Sequence, residues 1–269
     1  MSQPLLTRAV ILSAAVTVLL ALVIAPPDAL QGNAQRLMYV HVPAAWTAYL
    51  AFIVVALASL RYLRARTARS DALAAAAAEV GVVCTALTLV SGSVWGALTW
   101  GGWWVWDARV STTVLMGLLY VIYLSLRALT PQRWRHLVAV IGVVSIAVIP
   151  VVHMSVVWWR TLHQPPTILS PSMSAPIAPI MLTALAAGVV TFTLGATWVM
   201  RRRMAQLMAD DDAPAGQQPL TSVGLTAGKQ PGGSPGAVTS AARARASTTA
   251  QSPAPATSAA GITGESRDP

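Results

Sequence analysis

The chain has 269 residues, of which 55% are apolar and only 10% are charged. A water-soluble domain of this length carries far more charge on its surface, so the composition argues against the soluble classes and predicts an all-α, polytopic membrane protein. The formal net charge of +9 comes mostly from arginines in short clusters beside apolar segments. Such clusters are typical of membrane topology signals rather than of a nucleic-acid surface.

The apolar segments predict six membrane-spanning helices, because a helix crosses the hydrocarbon layer with about 20 apolar residues. The predicted spans are about 9–25, 43–60, 72–94, 110–126, 137–152 and 177–200. We interpret the first as a retained helix, with a cleaved signal peptide as the alternative. Pro43 suits the first turn of the second span, and Ser70-Asp71 offers a cap before the third.

Arginine clusters alternate with nearly uncharged loops along the chain. The clusters lie in loops 61–71 and 127–136 and directly after residue 200, whereas loops 26–42, 95–109 and 153–176 hold one arginine each. The positive-inside rule therefore predicts that both termini and the clusters are cytoplasmic. The other three loops are expected at the outer face of the cytoplasmic membrane.

Three further features limit the function or mark boundaries. Glu79 lies inside a span, and we favour structural pairing with a loop arginine or the headgroups over a direct functional role. The single cysteine, Cys84, excludes a disulfide within the chain, and the sequence has no CxxCH haem-attachment motif. The composition changes after about Asp210 to Ala, Pro, Gly, Ser, Thr and Gln, and we predict a membrane domain at 1–204 followed by a disordered cytoplasmic tail at 205–269.

Tryptophans concentrate on the predicted outer side. Of ten tryptophans, eight lie in or beside the outer loops: Trp46, Trp95, Trp100, Trp103, Trp104, Trp106, Trp158 and Trp159. An interfacial aromatic belt normally marks both membrane faces. We therefore favour an aromatic platform for a flat ligand, with a one-sided belt as the alternative.

Segment 95–111 holds the densest part of this platform. A short surface helix over 99–107 would place Trp100, Trp103, Trp104 and Asp107 on one stripe. Gly101 and Gly102 weaken such a helix, so an extended loop is the alternative. Arg109 suits a ligand carboxylate, and pairing with Asp107 or a lipid phosphate is the competing interpretation.

Histidines flank the platform at matching depth. His41 comes just before Pro43, and His153 comes just after Pro150. Two neutral imidazoles on one side are suited to hold a porphyrin iron from opposite faces, although an interfacial histidine is commonly structural. His163 is also on the outer side and competes for either role.

The segment Trp100-Gly101-Gly102-Trp103-Trp104-Val105-Trp106-Asp107-Ala108-Arg109 resembles the WWD signature of the haem-handling proteins of cytochrome c maturation, whose usual form is WGxWWxWDxRLT. Six spans, with one outer histidine before the second and one after the fifth, are similar in particular to the haem exporter protein C (CcmC) branch. Stretches 38–46 and 153–164 are also similar to the segments around that family's histidines. Val110, Ser111, Arg160 and Pro165 depart from the usual pattern.

The resemblance implies a haem-delivery subunit rather than an enzyme. By position, His41 and His153 would be the axial ligands of haem b, Trp100, Trp103, Trp104, Trp106 and Asp107 the platform, and Arg109 the partner of a propionate. The family passes haem to an extracytoplasmic haem chaperone that binds it covalently, together with ABC transporter subunits and a small membrane adaptor subunit. The chain has no Walker A loop, so the ATPase must be a partner.

Two other functions fit parts of the pattern. A membrane b-type electron carrier would keep its haem, but it generally places histidine pairs within the bilayer. A plain permease subunit would use the tryptophans only as membrane anchors. Neither alternative involves nucleic acid, and both keep the chain in contact with membrane lipid.

Overall fold

A computed structural model describes residues 1–159, 161–163 and 177–212. The described residues form an all-α bundle without strands, and six helical stretches are long and apolar enough to cross a membrane, which confirms the predicted fold class. The helices are α1 Gln3–Val18, α2 Met38–Ala65, α3 Ala68–Trp100, α4 Ala108–Leu129, α5 Arg135–Val144, α6 Val148–Trp158 and α7 Pro179–Asp212. Helices α5 and α6 are joined by a 3₁₀ turn and together make the fifth span.

The helices extend beyond the predicted spans at most ends, and two predicted helix starts are wrong. Pro43 lies inside α2, because the helix begins earlier, at Met38. The Pro43 ring and the Tyr39 carbonyl pack against Gly188 of α7, where a Cβ atom would come within 3.1 Å of both. The cap of α3 is Thr67, whose side chain accepts a hydrogen bond from the Ser70 amide, rather than Ser70-Asp71.

Close packing of α2 against α3 forms the centre of the bundle. The alanines at 74–78 are almost completely buried. Gly81 lies directly under Phe52, since an added Cβ would be 2.2 Å from the Phe52 ring, and this ring stacks on Tyr120 of α4 at 3.6 Å. Small residues at helix contacts let membrane helices approach closely, where dispersion forces hold them together.

The arginine clusters meet at one end of the bundle, which we call the arginine-rich end (61–71, 127–136 and 201–203). Here the buried Asp71 carboxylate pairs with Arg127 at 2.7 Å and with Arg135 at 2.8 Å, and so joins α3, α4 and α5. Glu79 forms two hydrogen bonds with Arg203 of α7, at 2.6 and 3.1 Å. This pairing agrees with the structural role favoured for Glu79, although its partner lies at the end of a span.

The opposite end carries the tryptophans of segment 95–106 and of α6, and we call it the tryptophan-rich end. Helix α1 continues there as a π-helix, Leu19–Ile24, and the last carbonyls of a helix have no partner in a following turn. The Arg36 guanidinium donates to the carbonyls of Ala21 and Ala25 and satisfies them. The membrane side that each end faces stays a prediction from the arginine pattern.

Two predictions about chain boundaries concern residues near or beyond the described part. Helix α7 continues to Asp212, past the expected start of the tail at 205. Residues 213–269, together with Arg160 and Pro165, lie outside the described residues.

Asp71→Asn is expected to lower stability strongly, because it leaves the mostly buried Arg127 and Arg135 without a counter-charge. Breaking a buried ion pair from one side costs roughly 3 kcal/mol, and the partial exposure of both arginines places this case at or below that figure. Thermal unfolding of the purified protein in detergent measures the loss. The same substitution at the exposed Asp211 is the control, and equal midpoints for the two variants would contradict the role of Asp71.

Candidate ligand site at the tryptophan-rich end

A cavity opens at the tryptophan-rich end between α2, α3 and α4. It has about 960 Å³ of space, counting the part that is open to the outside. Its deeper wall holds small and hydroxyl-bearing side chains, and its mouth holds indoles. The lining includes His41, Tyr49, Thr85, Thr88, Gly92, Gly96, Trp100, Trp103, Trp104, Asp107, Arg109, Thr113, Met116, Leu162 and His163.

Segment 101–107 forms the mouth as a non-helical loop. Helix α3 ends at Trp100, and Gly101 follows in the left-handed region with φ of +75°, a conformation that favours glycine. The surface helix expected over 99–107 is therefore wrong, and the extended alternative is correct. Trp100, Trp103 and Trp104 still line the cavity, whereas Trp106 is outside the lining and packs edge-on against Trp104 at 5.2 Å.

Asp107 connects three parts of the site. Its Oδ1 atom accepts a hydrogen bond from the Val110 amide at 2.8 Å and so caps the start of α4. Its Oδ2 atom accepts a hydrogen bond from the Leu162 amide at 3.2 Å. The carboxylate thus attaches the segment after α6 to the beginning of α4, directly beside the indole loop.

His163 is placed in the cavity by this attachment. Its Nδ1 atom lies 3.5 Å from Asp107 Oδ2, which is an ion-pair distance without hydrogen-bond geometry. Burial lowers the pKa of His163 below its ordinary value of 6.5, and the nearby Asp107 carboxylate opposes this shift only in part. The imidazole is therefore neutral at pH 7, with Nδ1 directed at a carboxylate and Nε2 left for a ligand.

His41 of α2 is held from α3. Its Nδ1 atom is 3.2 Å from the Ser91 hydroxyl, and that hydroxyl donates its own hydrogen to the Leu87 carbonyl at 2.7 Å. Nδ1 of His41 must then be the donor, which leaves the lone pair on Nε2. Gly92 makes room for the ring, because an added Cβ would lie 2.9 Å from His41 Cε1.

Trp95 of α3 completes the surroundings of His41. Its ring meets the imidazole edge-on at 5.7 Å, and its indole N–H donates to the Gln31 side chain at 2.9 Å. Ser91 and Trp95 were not predicted as site residues. The one-sided excess of tryptophans was the available signal for Trp95, whereas nothing in the sequence distinguishes Ser91 from other serines within helices.

His153 lies in α6, half-buried, and is not part of the cavity lining. Its backbone carbonyl and that of Val152 accept hydrogen bonds from Nη1 of Arg109. Among the described residues Arg109 forms no salt bridge with Asp107, and it ties α4 to α6 while lining the cavity. The structure brings His41 and His163 together at one cavity. Six of the eight predicted site residues, His41 among them, line this cavity. The other two, Trp106 and His153, do not.

Comparison with known proteins places this architecture in one family. The family model described as "Heme exporter protein C" matches residues 1–218. The chain is 35% identical to Heme exporter protein C of Bradyrhizobium diazoefficiens, over 73% of this chain and 80% of that protein. It is 36% identical to Heme exporter protein C of Escherichia coli K12, over 68% of this chain and 74% of that protein. It is 32% identical to Heme exporter protein C of Haemophilus influenzae, over 79% of this chain and 87% of that protein.

Asp107→Ala is expected to destabilise the tryptophan-rich end, because it removes the α4 cap and the attachment of Leu162 together. Loss of an N-cap alone costs about 1 kcal/mol. Asp107→Asn should cost less, since an asparagine oxygen can still cap the helix. Thermal unfolding midpoints, with limited proteolysis after residue 159, measure both effects. Alanine and asparagine variants that both behave as wild type would show that the carboxylate does not hold this end.

Proposed function

Because the chain belongs to the Heme exporter protein C family, we propose that it serves haem export for cytochrome c maturation by binding haem b at the tryptophan-rich end. The observation that carries this proposal is the pair of imidazoles on one cavity. Each has Nδ1 directed at an oxygen, Ser91 Oγ for His41 and Asp107 Oδ2 for His163. A hydrogen-bond acceptor at Nδ1, such as Ser91 Oγ for His41, sets the tautomer and orients Nε2 toward a metal. At His163 the Asp107 carboxylate lies on the Nδ1 side at 3.5 Å without forming a hydrogen bond.

We propose His41 and His163 as the axial ligands. The sequence favoured His153 as the second ligand because it follows the fifth span directly, with His163 as a competitor. The geometry supports the competitor, since His163 lines the same cavity as His41 and His153 does not. His153 contributes its backbone carbonyl to the anchoring of Arg109 instead.

The cavity suits the remainder of a haem. Its mouth is open to the outside, which leaves one edge of a planar ring accessible. Trp100, Trp103 and Trp104 supply apolar faces for the porphyrin. Both hydrogen bonds of Arg109 leave from Nη1, so Nε and Nη2 are the atoms that would meet a propionate.

Delivery needs a surface that a partner can reach. Trp103 and Trp106 are 67% and 68% exposed beside the mouth of the cavity. They offer an apolar contact for an extracytoplasmic haem chaperone, at the outer face of the cytoplasmic membrane. ABC transporter subunits with an ATPase and a small membrane adaptor subunit would supply the energy that this chain, without a Walker A loop, does not.

A role as an electron carrier across the bilayer is less well supported. Such a carrier requires haem positions at different depths, whereas His41 and His163 line one cavity at one end of the bundle. We therefore retain haem binding and delivery as the function.

Alanine variants of three histidines test the ligand pair. His41→Ala and His163→Ala are each expected to lower the haem content of protein purified from haem-replete membranes by roughly tenfold or more, and to shift the Soret band, because an axial bond is lost. His153→Ala should keep haem close to the wild-type level, and His136→Ala, at the arginine-rich end, is the matched control. Haem per protein is measured as the pyridine haemochrome.

The opposite pattern would contradict the assignment. Haem lost in His153→Ala and kept in His163→Ala would restore the pair predicted from sequence. Wild-type protein that takes up no haem would contradict the binding function itself.

A further inference from the structure

A second cavity lies at the other end of the bundle, between α1, α3 and α7, and the haem-delivery function does not use it. It has about 1260 Å³ of space, counting its open side. Its wall is mainly apolar and includes Val83, Cys84, Phe192, Gly195, Ala196 and Val199. Glu79, Arg202, Arg203 and Gln206 line the end nearest the arginine clusters.

This cavity is a groove that opens sideways on the surface that membrane lipid would cover. Val83 and Val199 are 66% and 43% exposed on its walls. At Gly195 an added Cβ would meet no atom within 4 Å, so the space beside α7 is open where the helix lacks a side chain. Its α7 wall runs from Thr191 to Gln206, about 22 Å of helix, which exceeds the roughly 15 Å of hydrocarbon in one leaflet.

A cationic group stands at the polar end of the groove. Arg203 is neutralised by its two hydrogen bonds with Glu79. The Arg202 guanidinium lies 4.4 Å from the centre of the Trp198 ring, and it has no acidic partner among the described residues. Trp198 is itself fixed, because its indole N–H donates to Thr7 of α1 at 2.9 Å. The apolar groove therefore ends at a positioned, uncompensated positive charge.

We propose that this groove is a binding site for one anionic phospholipid of the adjacent leaflet, with acyl chain along Gly195 and Ala196 and phosphate on Arg202. Basic pockets between membrane helices are suited to acidic headgroups. An apolar helix of a partner fits less well, because it would cover the groove and leave the Arg202 charge without an anionic partner, whereas an acidic phosphate pairs with that charge. The proposal is independent of haem binding.

Native mass spectrometry of delipidated protein tests it, with phosphatidylglycerol and phosphatidylcholine as probes. Wild-type protein should bind one phosphatidylglycerol more tightly than phosphatidylcholine. Arg202→Gln should weaken phosphatidylglycerol binding roughly fivefold and leave phosphatidylcholine binding unchanged, because it removes one arginine near the anionic headgroup. Gly195→Leu should weaken both lipids, because the leucine side chain fills the groove.

Matched variants separate groove effects from general ones. Gly195→Ala removes the helical glycine but leaves most of the groove. Ala86→Leu places a leucine at an exposed position of α3 outside the groove, and Arg133→Gln removes an exposed charge elsewhere. All three should bind phosphatidylglycerol as wild type does, and unfolding midpoints check that each variant is folded.

Several outcomes would overturn the proposal. These are equal binding of the two lipids by wild type, unchanged binding in Gly195→Leu, or efficient crosslinking of Cys84, the single cysteine of the chain, to another membrane protein in native membranes. The last result would assign the groove to a partner helix. Haem content measured on the same samples reports separately on the delivery function.

Discussion

The Asp107 carboxylate is the contact on which the tryptophan-rich end depends. One oxygen caps α4, and the other holds the segment after α6 through the Leu162 amide and lies 3.5 Å from His163 Nδ1. The Trp100 ring also lies 6.0 Å from the His163 ring, but Asp107 supplies the polar contacts that attach the described residues 161–163 to the start of α4. A single side chain thus begins a helix, closes a loop and orients a candidate ligand. Asp107 lies beside the tryptophans because the start of α4 and the segment after α6 meet there.

The two ends of the bundle use opposite means of joining helices. At the arginine-rich end, Asp71 and Glu79 pair with arginines from other spans. At the tryptophan-rich end, Arg36 and Arg109 donate to backbone carbonyls of α1 and α6 instead. Apart from Asp107, none of the described residues that line the cavity is acidic. The end proposed to receive haem is therefore held by polar contacts that lie around the cavity rather than across it.

The number, order and relative sides of the spans could be predicted because they depend on local composition. Apolar length and arginine clusters are properties of short windows, and the bundle agrees with both. Helix ends were less predictable, since Pro43 lies within α2, where its ring and the Tyr39 carbonyl pack against Gly188 of α7. That packing is a contact between distant segments, and no window of sequence contains it.

The candidate site, like the helix ends, could be predicted only where it depends on local sequence. His41 and the indoles were recognisable from type and spacing, but the choice between His153 and His163 depends on the direction in which the chain leaves α6. The role of Ser91 depends on the register between α2 and α3. These facts are set by packing, which places the Ser91 hydroxyl 3.2 Å from His41 and leaves His153 outside the cavity.

A structure of the haem-loaded protein in a lipid nanodisc would show the ligands of the iron. We predict iron bound by Nε2 of His41 and Nε2 of His163, with the ring between them at the mouth formed by Trp100, Trp103 and Trp104. Iron bound to His153, or haem located away from this cavity, would contradict it.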